Sequence, residues 1–235
     1  MRQVFPVARR RSPLRLFALG AVWAALALFA LFIVLVGLYT FVRPVSTLML
    51  ARTVSGKGYQ RIYAPLKTIA PAALAAVIAS EDAAFCDNDG VDWGALHEVV
   101  SSAGKHGPKR GASTITMQTA KNLFLWPGRS VIRKGIEIPM ALALGKAWSK
   151  RRTLEIYLNI AQWGDGLFGI EAAAERYFHK SASQLNAHEA ALLATALPNP
   201  ILRNPGRPSG MQRRLAASLE AKARADSNLL DCLPR

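Results

Sequence analysis

The sequence predicts a mainly α-helical domain behind a single N-terminal transmembrane helix. Three observations carry this reading. Residues 16–42 form a run of 27 without a charge. Apolar positions in the remainder recur at helical spacing, and no segment alternates convincingly as a strand would. Hydrophobic residues make up 51% of the 235, which excludes a disordered chain.

Residues 1–15 carry Arg2, Arg9, Arg10, Arg11 and Arg15 and no acid. The uncharged run that follows would be about 40 Å long as a helix, against about 30 Å of hydrocarbon. A cleaved signal peptide would have an apolar region of roughly 7–15 residues and an A-x-A-like site. The run ends instead in Tyr39, Phe41 and Val42. The expected organisation is a cytoplasmic basic tail 1–15, a membrane anchor 16–42 and one domain 43–235. Arginines at the start of the span place that domain outside, facing the periplasm of a cell with an inner membrane.

The net charge is +15, and removing the five tail arginines leaves +10 on the domain. An anionic partner fits this balance, and an outward-facing domain disfavours nucleic acid. Cys86 and Cys232 are too few for a disulfide framework, and their spacing does not decide between a bridge and two free thiols. His97, His106, His179 and His188 show no metal-ligand spacing. Walker A, GxGxxG and GxSxG patterns are absent.

Residues 43–70 read as an irregular connecting segment. Pro71 suits the first position of a helix, and Leu74, Val77, Ile78 and Glu81 follow at i, i+3, i+4 and i+7. The stretches 86–94 and 101–112 read as polar, exposed loops. Ser113 is a good cap for a second helix reaching Phe124 before Pro127 and Gly128. A third helix begins near Ser130, with Pro139 expected to interrupt and kink it. Leu154, Tyr157, Leu158 and Ala161 mark a fourth, and Asn186 with Glu189 resembles a capping box for a fifth.

Three constellations could carry chemistry. Glu81 lies on an apolar stripe with Phe85 one turn beyond; partial desolvation would raise its pKa and suit it to proton transfer. The bland alternative is a helix-end glutamate paired to a basic residue. Thr114, Gln118 and Lys121 share a helix face and could cradle a diphosphate, or could be the solvated face of a capped helix. Arg133 and Glu137 are either a plain i, i+4 ion pair or an anion-holding arginine beside a second carboxylate. Lys150, Arg151, Arg152 and Glu155 read as structural or headgroup-facing.

Together these stretches resemble the peptidoglycan glycosyltransferases of family 51, especially the monofunctional, membrane-anchored kind. Glu81-Asp82-Ala83-Ala84-Phe85 with Gly90 resembles the family's motif E-D-x-x-F-x-x-H-x-G. Arg110 to Asn122 resembles R-G-x-S-T-I-T-Q-Q-x-x-K-N. Arg133-Lys134-x-x-Glu137 matches a third motif and Leu154-Glu155-x-Tyr157-Leu158-Asn159 a fourth. Gly169 to Ala174, with Tyr177-Phe178 and Lys180, fits a fifth. The matches fall in order over about residues 80–200. Two positions depart: Asn88 stands where the motif has histidine, and Met117 where it has the first glutamine. Asparagine can still hydrogen-bond but cannot carry charge.

The resemblance implies a fold similar to the α-lobe of lysozyme plus a small membrane-facing lobe. It implies addition of the disaccharide of lipid II to a glycan linked to undecaprenyl diphosphate. Glu81 would be the general base on the acceptor 4-hydroxyl, and Lys121 and Arg133 would stabilise the departing diphosphate. Asp82, Phe85, Ser113, Thr114, Gln118, Asn122 and Lys134 would contribute to the substrate site. Glu137 would orient that site or hold a divalent cation such as Mg or Mn; no organic cofactor is implied. Partners would be lipid II, the lipid-linked glycan, the membrane, and other cell-wall or division proteins. Two other readings compete: a membrane-anchored lysozyme-like glycan hydrolase, and a non-catalytic cell-wall scaffold.

Overall fold

A computed structural model describes residues 13–106, 113–128 and 130–233. The basic residues before Pro13 and the Arg110-Gly111-Ala112 part of the second motif lie outside that range. The chain divides into two compact units, 1–41 and 42–235.

The first unit is α1, Pro13–Leu38. Within it Arg15–Leu38 is long and apolar enough to cross a membrane, and its side chains are almost all exposed. From Leu16 on the helix carries no charge, and an apolar stretch with its side chains mostly turned outward is what a bilayer accepts and water does not.

The second unit is built mainly from helices. In chain order they are α2 (Thr47–Val54), α3 (Pro71–Glu81), α4 (Trp93–His106), α5 (Ile115–Phe124), α6 (Val131–Ala147) and α7 (Lys150–Ile160). Then come α8 (Ile170–Phe178), α9 (Ala187–Ala196) and α10 (Gly210–Ala225). Local chemistry fixes most of their starts. Pro71 occupies the first turn of α3, and Ser130, Ser149 and Ser209 cap α6, α7 and α10 by accepting from a backbone N–H three residues on. Asn186 and Glu189 form the full capping box of α9.

The core is made where α3, α9 and α10 pack on one another and α5 lies against α6 and α7. Buried alanines, among them Ala73, Ala76, Ala190, Ala191 and Ala194, line the first contact and let the helix backbones approach closely. Leu154, Tyr157, Leu158 and Trp163 complete the same cluster from the α7 side.

Several boundaries differ from the sequence expectation. The cap of α5 is Thr114, not Ser113. Helix α6 runs through Pro139 as one element, and α4 continues through residues expected to be a loop. A small sheet is also present, order β1-β3-β2, from Gln60–Arg61 (β1), Gln162–Gly164 (β2) and Leu167–Phe168 (β3). β1 runs parallel to β3, with Gln60 opposite Leu167, while β2 is antiparallel to β3. Strands of two or three residues are too short for alternation to show.

The connecting segment is therefore tied down rather than irregular. Tyr63 Oη donates to Glu155 Oε1 at 2.7 Å, the Leu66 amide donates to Glu155 Oε2 at 2.8 Å, and the Ala64 amide donates to Asn159 Oδ1 at 2.9 Å. Cys86 and Cys232 are bridged, with Cα atoms 5.3 Å apart. That closes the alternative their spacing left open.

Candidate active site

Glu81 ends α3, and its carboxylate emerges at the edge of the core. Gln118 Nε2, from the second turn of α5, donates to Glu81 Oε2 at 2.9 Å. Tyr157 Oη, from α7, donates to Gln118 Oε1 at 3.2 Å. Tyr157 is fully buried and burial holds its phenol protonated, so it fixes which way the Gln118 amide faces. Ser80 Oγ approaches Glu81 Oε1 at 3.3 Å, leaving that oxygen lightly engaged. Burial raises the Glu81 carboxyl above its ordinary value; Gln118, Ser80, Lys121 and Arg203 pull against it without cancelling the effect.

The turn after α3 is held by its own side chains. Asp82 is buried, accepting from the Ile115 amide at 3.0 Å on one oxygen and from Asn88 Nδ2 at 2.9 Å on the other. Burial pushes its carboxyl up to about 6 despite these donors. Asp82 thus caps the first turn of α5 and ties α3 to α5. Phe85, expected to contribute to the substrate site, is fully buried and packs in the core. Thr114 is likewise buried, its hydroxyl donating to the Gly90 carbonyl at 2.6 Å and accepting from the Met117 amide at 3.0 Å. It builds the cleft and has no hydroxyl hydrogen left for a diphosphate. Met117 lies in an apolar cluster with Val91 and Ala141, so the departure from glutamine there falls in the core. Gly90, at φ +116°, could not carry a Cβ, which would meet the Ala141 carbonyl oxygen at 2.6 Å.

A cavity of about 370 Å³ opens beside this pair, lined by Gln118, Lys121, Asn122, Arg133 and Tyr157, with Thr47 and Trp126 at its far side. A second, of about 300 Å³, is lined by Ser80, Glu81, Asp82, Ser113, Thr114 and Lys222. The Glu81–Gln118 hydrogen bond spans the boundary between the two. Lys121 is partly buried, and burial lowers its ammonium pKa while Glu137 acts to restore it.

Glu137 is 3% exposed and lines neither cavity. Arg133 Nε stands 3.1 Å from its Oε1 and Lys134 Nζ 3.4 Å from its Oε2. The arginine contact is an ion pair without the alignment of a hydrogen bond. Lys134 Nζ also donates to Ser113 Oγ at 2.5 Å. Glu137 therefore holds Arg133 and Lys134 from behind, the i, i+4 pairing that is one of its two expected places. No group of three or more Asp, Glu, His or Cys placed to hold a metal ion exists among the described residues. One carboxylate already engaged by two cations does not fit a protein-held divalent cation, which takes several oxygen ligands.

Of the residues singled out in the sequence, Gln118, Lys121, Asn122 and Arg133 line the first cavity and Glu81 the second. Sequence reasoning missed the orienting role of Tyr157, the tethering by Glu155 and Asn159, and Arg203, whose charge acts on Glu81 while it donates to the Thr195 carbonyl at 2.5 Å. An arginine in the proline-rich stretch 198–208 offers no periodic signal.

On this mainly helical domain a partly desolvated carboxylate stands beside a cavity lined by Lys121 and Arg133, an arrangement suited to proton transfer next to an anionic group. A family model described as Transglycosylase matches residues 48–223, and the chain belongs to that family. It is similar to the biosynthetic peptidoglycan transglycosylase of Agrobacterium fabrum, 49% identical over 221 residues, covering 93% of this chain and 98% of the relative. The enzyme of that name from Rhizobium meliloti is 51% identical over 201 residues, 85% of each chain. That from Nitrobacter winogradskyi is 48% identical over 216 residues, 92% of this chain and 94% of the relative.

Proposed function

We propose that this peptidoglycan glycosyltransferase polymerises lipid II into β-1,4 glycan, releasing undecaprenyl diphosphate, for cell-wall biosynthesis. The observation that carries the reading is the Glu81–Gln118 pair at the junction of two cavities, one lined by Lys121 and Arg133. Two sugar substrates must meet across one proton acceptor, and the leaving group must meet cations.

In the proposed reaction the acceptor 4-hydroxyl gives its proton to Glu81 and its oxygen attacks the donor anomeric carbon. The bond from that carbon to the diphosphate breaks, the diphosphate keeps the electron pair, and the anomeric configuration inverts from α to β. Lys121 and Arg133 stabilise charge that grows on the departing oxygens. Asn122 contributes to the wall of the same cavity. Glu137 holds Arg133 and Lys134 from behind, and Ser113, on the wall of the cavity at Glu81, contributes with Lys134 to the substrate site.

The domain is proposed to face the periplasm from the inner membrane. The tail arginines support this, and so does the Cys86–Cys232 bridge, since disulfides persist in oxidising compartments. A protease added to the cytoplasmic face of inverted vesicles should then leave 43–235 intact; digestion would reverse the orientation. Anchoring confines enzyme and lipid-linked substrate to one layer, raising their effective concentration.

The function is tested by incubating the full chain in detergent or vesicles with labelled lipid II. Long glycan and released undecaprenyl diphosphate are expected. Shortening of added glycan without polymer would instead make the protein a hydrolase.

A further inference from the structure

Lys150 opens α7 among basic residues that pattern alone reads as structural or headgroup-facing. Its side chain turns inward, to the turn behind Glu81. The Nζ donates to the Asn88 carbonyl at 2.5 Å and lies 3.3 Å from Asn88 Oδ1. It also sits 4.6 Å from the centre of the buried Phe85 ring. Asn88 passes the contact on, with Nδ2 donating to Asp82 Oδ1 and to the Ala84 carbonyl, each at 2.9 Å. Its Oδ1 accepts from the Gly90 amide at 3.0 Å. Asp82 in turn receives the first amide of α5, from Ile115. Three turns of α5 carry Gln118 and Lys121.

We propose that Lys150 is a positioning residue for the glycosyl transfer: through Asn88 and Asp82 it sets the end of α3 against the start of α5, so that Glu81 and Gln118 meet.

The physical case rests on where freedom would otherwise remain. From behind, the turn is blocked by α6, since a Cβ on Gly145 would lie 2.0 Å from the Asp89 carbonyl oxygen. On the α7 side Lys150 closes it. Asp82, Asp87 and Asp89 all face the ammonium, and Asp92 faces Asp82 from the start of α4. Without Lys150 these like charges would lie around one turn with no cation of α7 among them, and Asn88 would lose the donor that fixes its carbonyl. Asn88 cannot carry charge itself, so the positive charge beside Asp82 comes from α7. A shift of under an ångström at Glu81 is enough to lower the rate, because the base must reach one hydroxyl.

The inference rests on the reading of Glu81 as the base, and the test separates the two. Lys150→Met, Lys150→Arg, Asn88→Ala and the double variant Lys150→Met/Asn88→Ala are compared in the full chain on lipid II. Lys150→Met should lower kcat about tenfold with KM within about twofold, and Lys150→Arg should recover part of it. In the Asn88→Ala background the Lys150→Met loss should shrink to less than about threefold, because alanine keeps the carbonyl that Lys150 holds but lacks the side-chain amide that passes the contact on to Asp82. Hydrogen exchange at the Ile115 amide, measured without substrate, should speed up in Lys150→Met while amides in the middle of α9 keep their protection. Unchanged kcat, a rise confined to KM, full additivity in the double variant, or an unmoved Ile115 amide would each overturn the proposal. If Lys150→Met fails to fold, Asn88→Ala alone decides by the same two readouts. Failure of Glu81→Gln to lose activity would remove the base reading and leave the Ile115 exchange result standing.

Discussion

Two carboxylates, Glu81 and Glu137, are both sheltered by the protein and stand beside the same basic cleft, yet their surroundings differ. Glu81 is met by neutral partners, the Gln118 amide and the Ser80 hydroxyl, with cations only at longer range. Glu137 is met by two cations within 3.4 Å and opens into no cavity. The first arrangement leaves a carboxylate poised to take a proton, because burial without a close cation favours its neutral form. The second makes a carboxylate that organises charge. What decides a glutamate's part here is its neighbours and its exposure, not its type or its motif.

That contrast can be broken at three points. Glu81→Gln keeps the hydrogen-bonding shape and removes the proton acceptor, so polymerisation should fall by about 10²–10⁴-fold with folding and lipid II affinity retained. A rate within about threefold of wild type would remove Glu81 from that part.

Lys121→Ala should slow single-turnover transfer by roughly 10–100-fold while changing lipid II affinity less. It should also move the acid limb of kcat/KM. Lys121 pulls the Glu81 carboxyl down, so its loss raises the pKa of a base that must be ionised, and activity should appear only at higher pH. Lys121→Arg keeps the charge and should leave the limb in place, restoring part of the rate. An unmoved limb in Lys121→Ala would break the electrostatic link between the two sites.

Glu137→Gln should show the smallest loss of rate, about tenfold, and its larger signature in stability. Arg133 and Lys134 would face a neutral amide, a change that in buried pairs costs about 3–5 kcal/mol when one partner is removed and less where water can enter. Thermal unfolding measures it. A rate loss equal to that of Glu81→Gln with an unchanged Tm would erase the distinction.

Much of this was legible in the chain. The uncharged run, the cap residues Ser130 and Asn186, and the stripe ending at Glu81 act over a few residues, and they appear in the structure where spacing placed them. The residues gathered at the cleft were legible through the order of their motifs. What was not legible depends on contacts between distant segments. Glu155 and Asn159 look like ordinary helix residues until the chain at 63–66 is laid across them. Thr114 and Phe85 sit inside motifs, and only the structure tells that Phe85 lies in the core and that the Thr114 hydroxyl is engaged by backbone groups. The short strands escape because two residues cannot show a period. Asn88, a departure in sequence, is in space the link between Lys150 and Asp82.

The covalent tie between Cys86 and Cys232 adds a consequence in time. Leu229 and Leu233, on either side of Cys232, are buried in the core. The two sulfurs are separated by 146 residues of chain. The end of α3 is synthesised early, and Cys86 must wait for nearly the whole domain to follow before Cys232 arrives. Its bridge can close only when the last helix has been delivered. A copy truncated before Cys232 would carry every residue of the cleft and still lack the latch behind it.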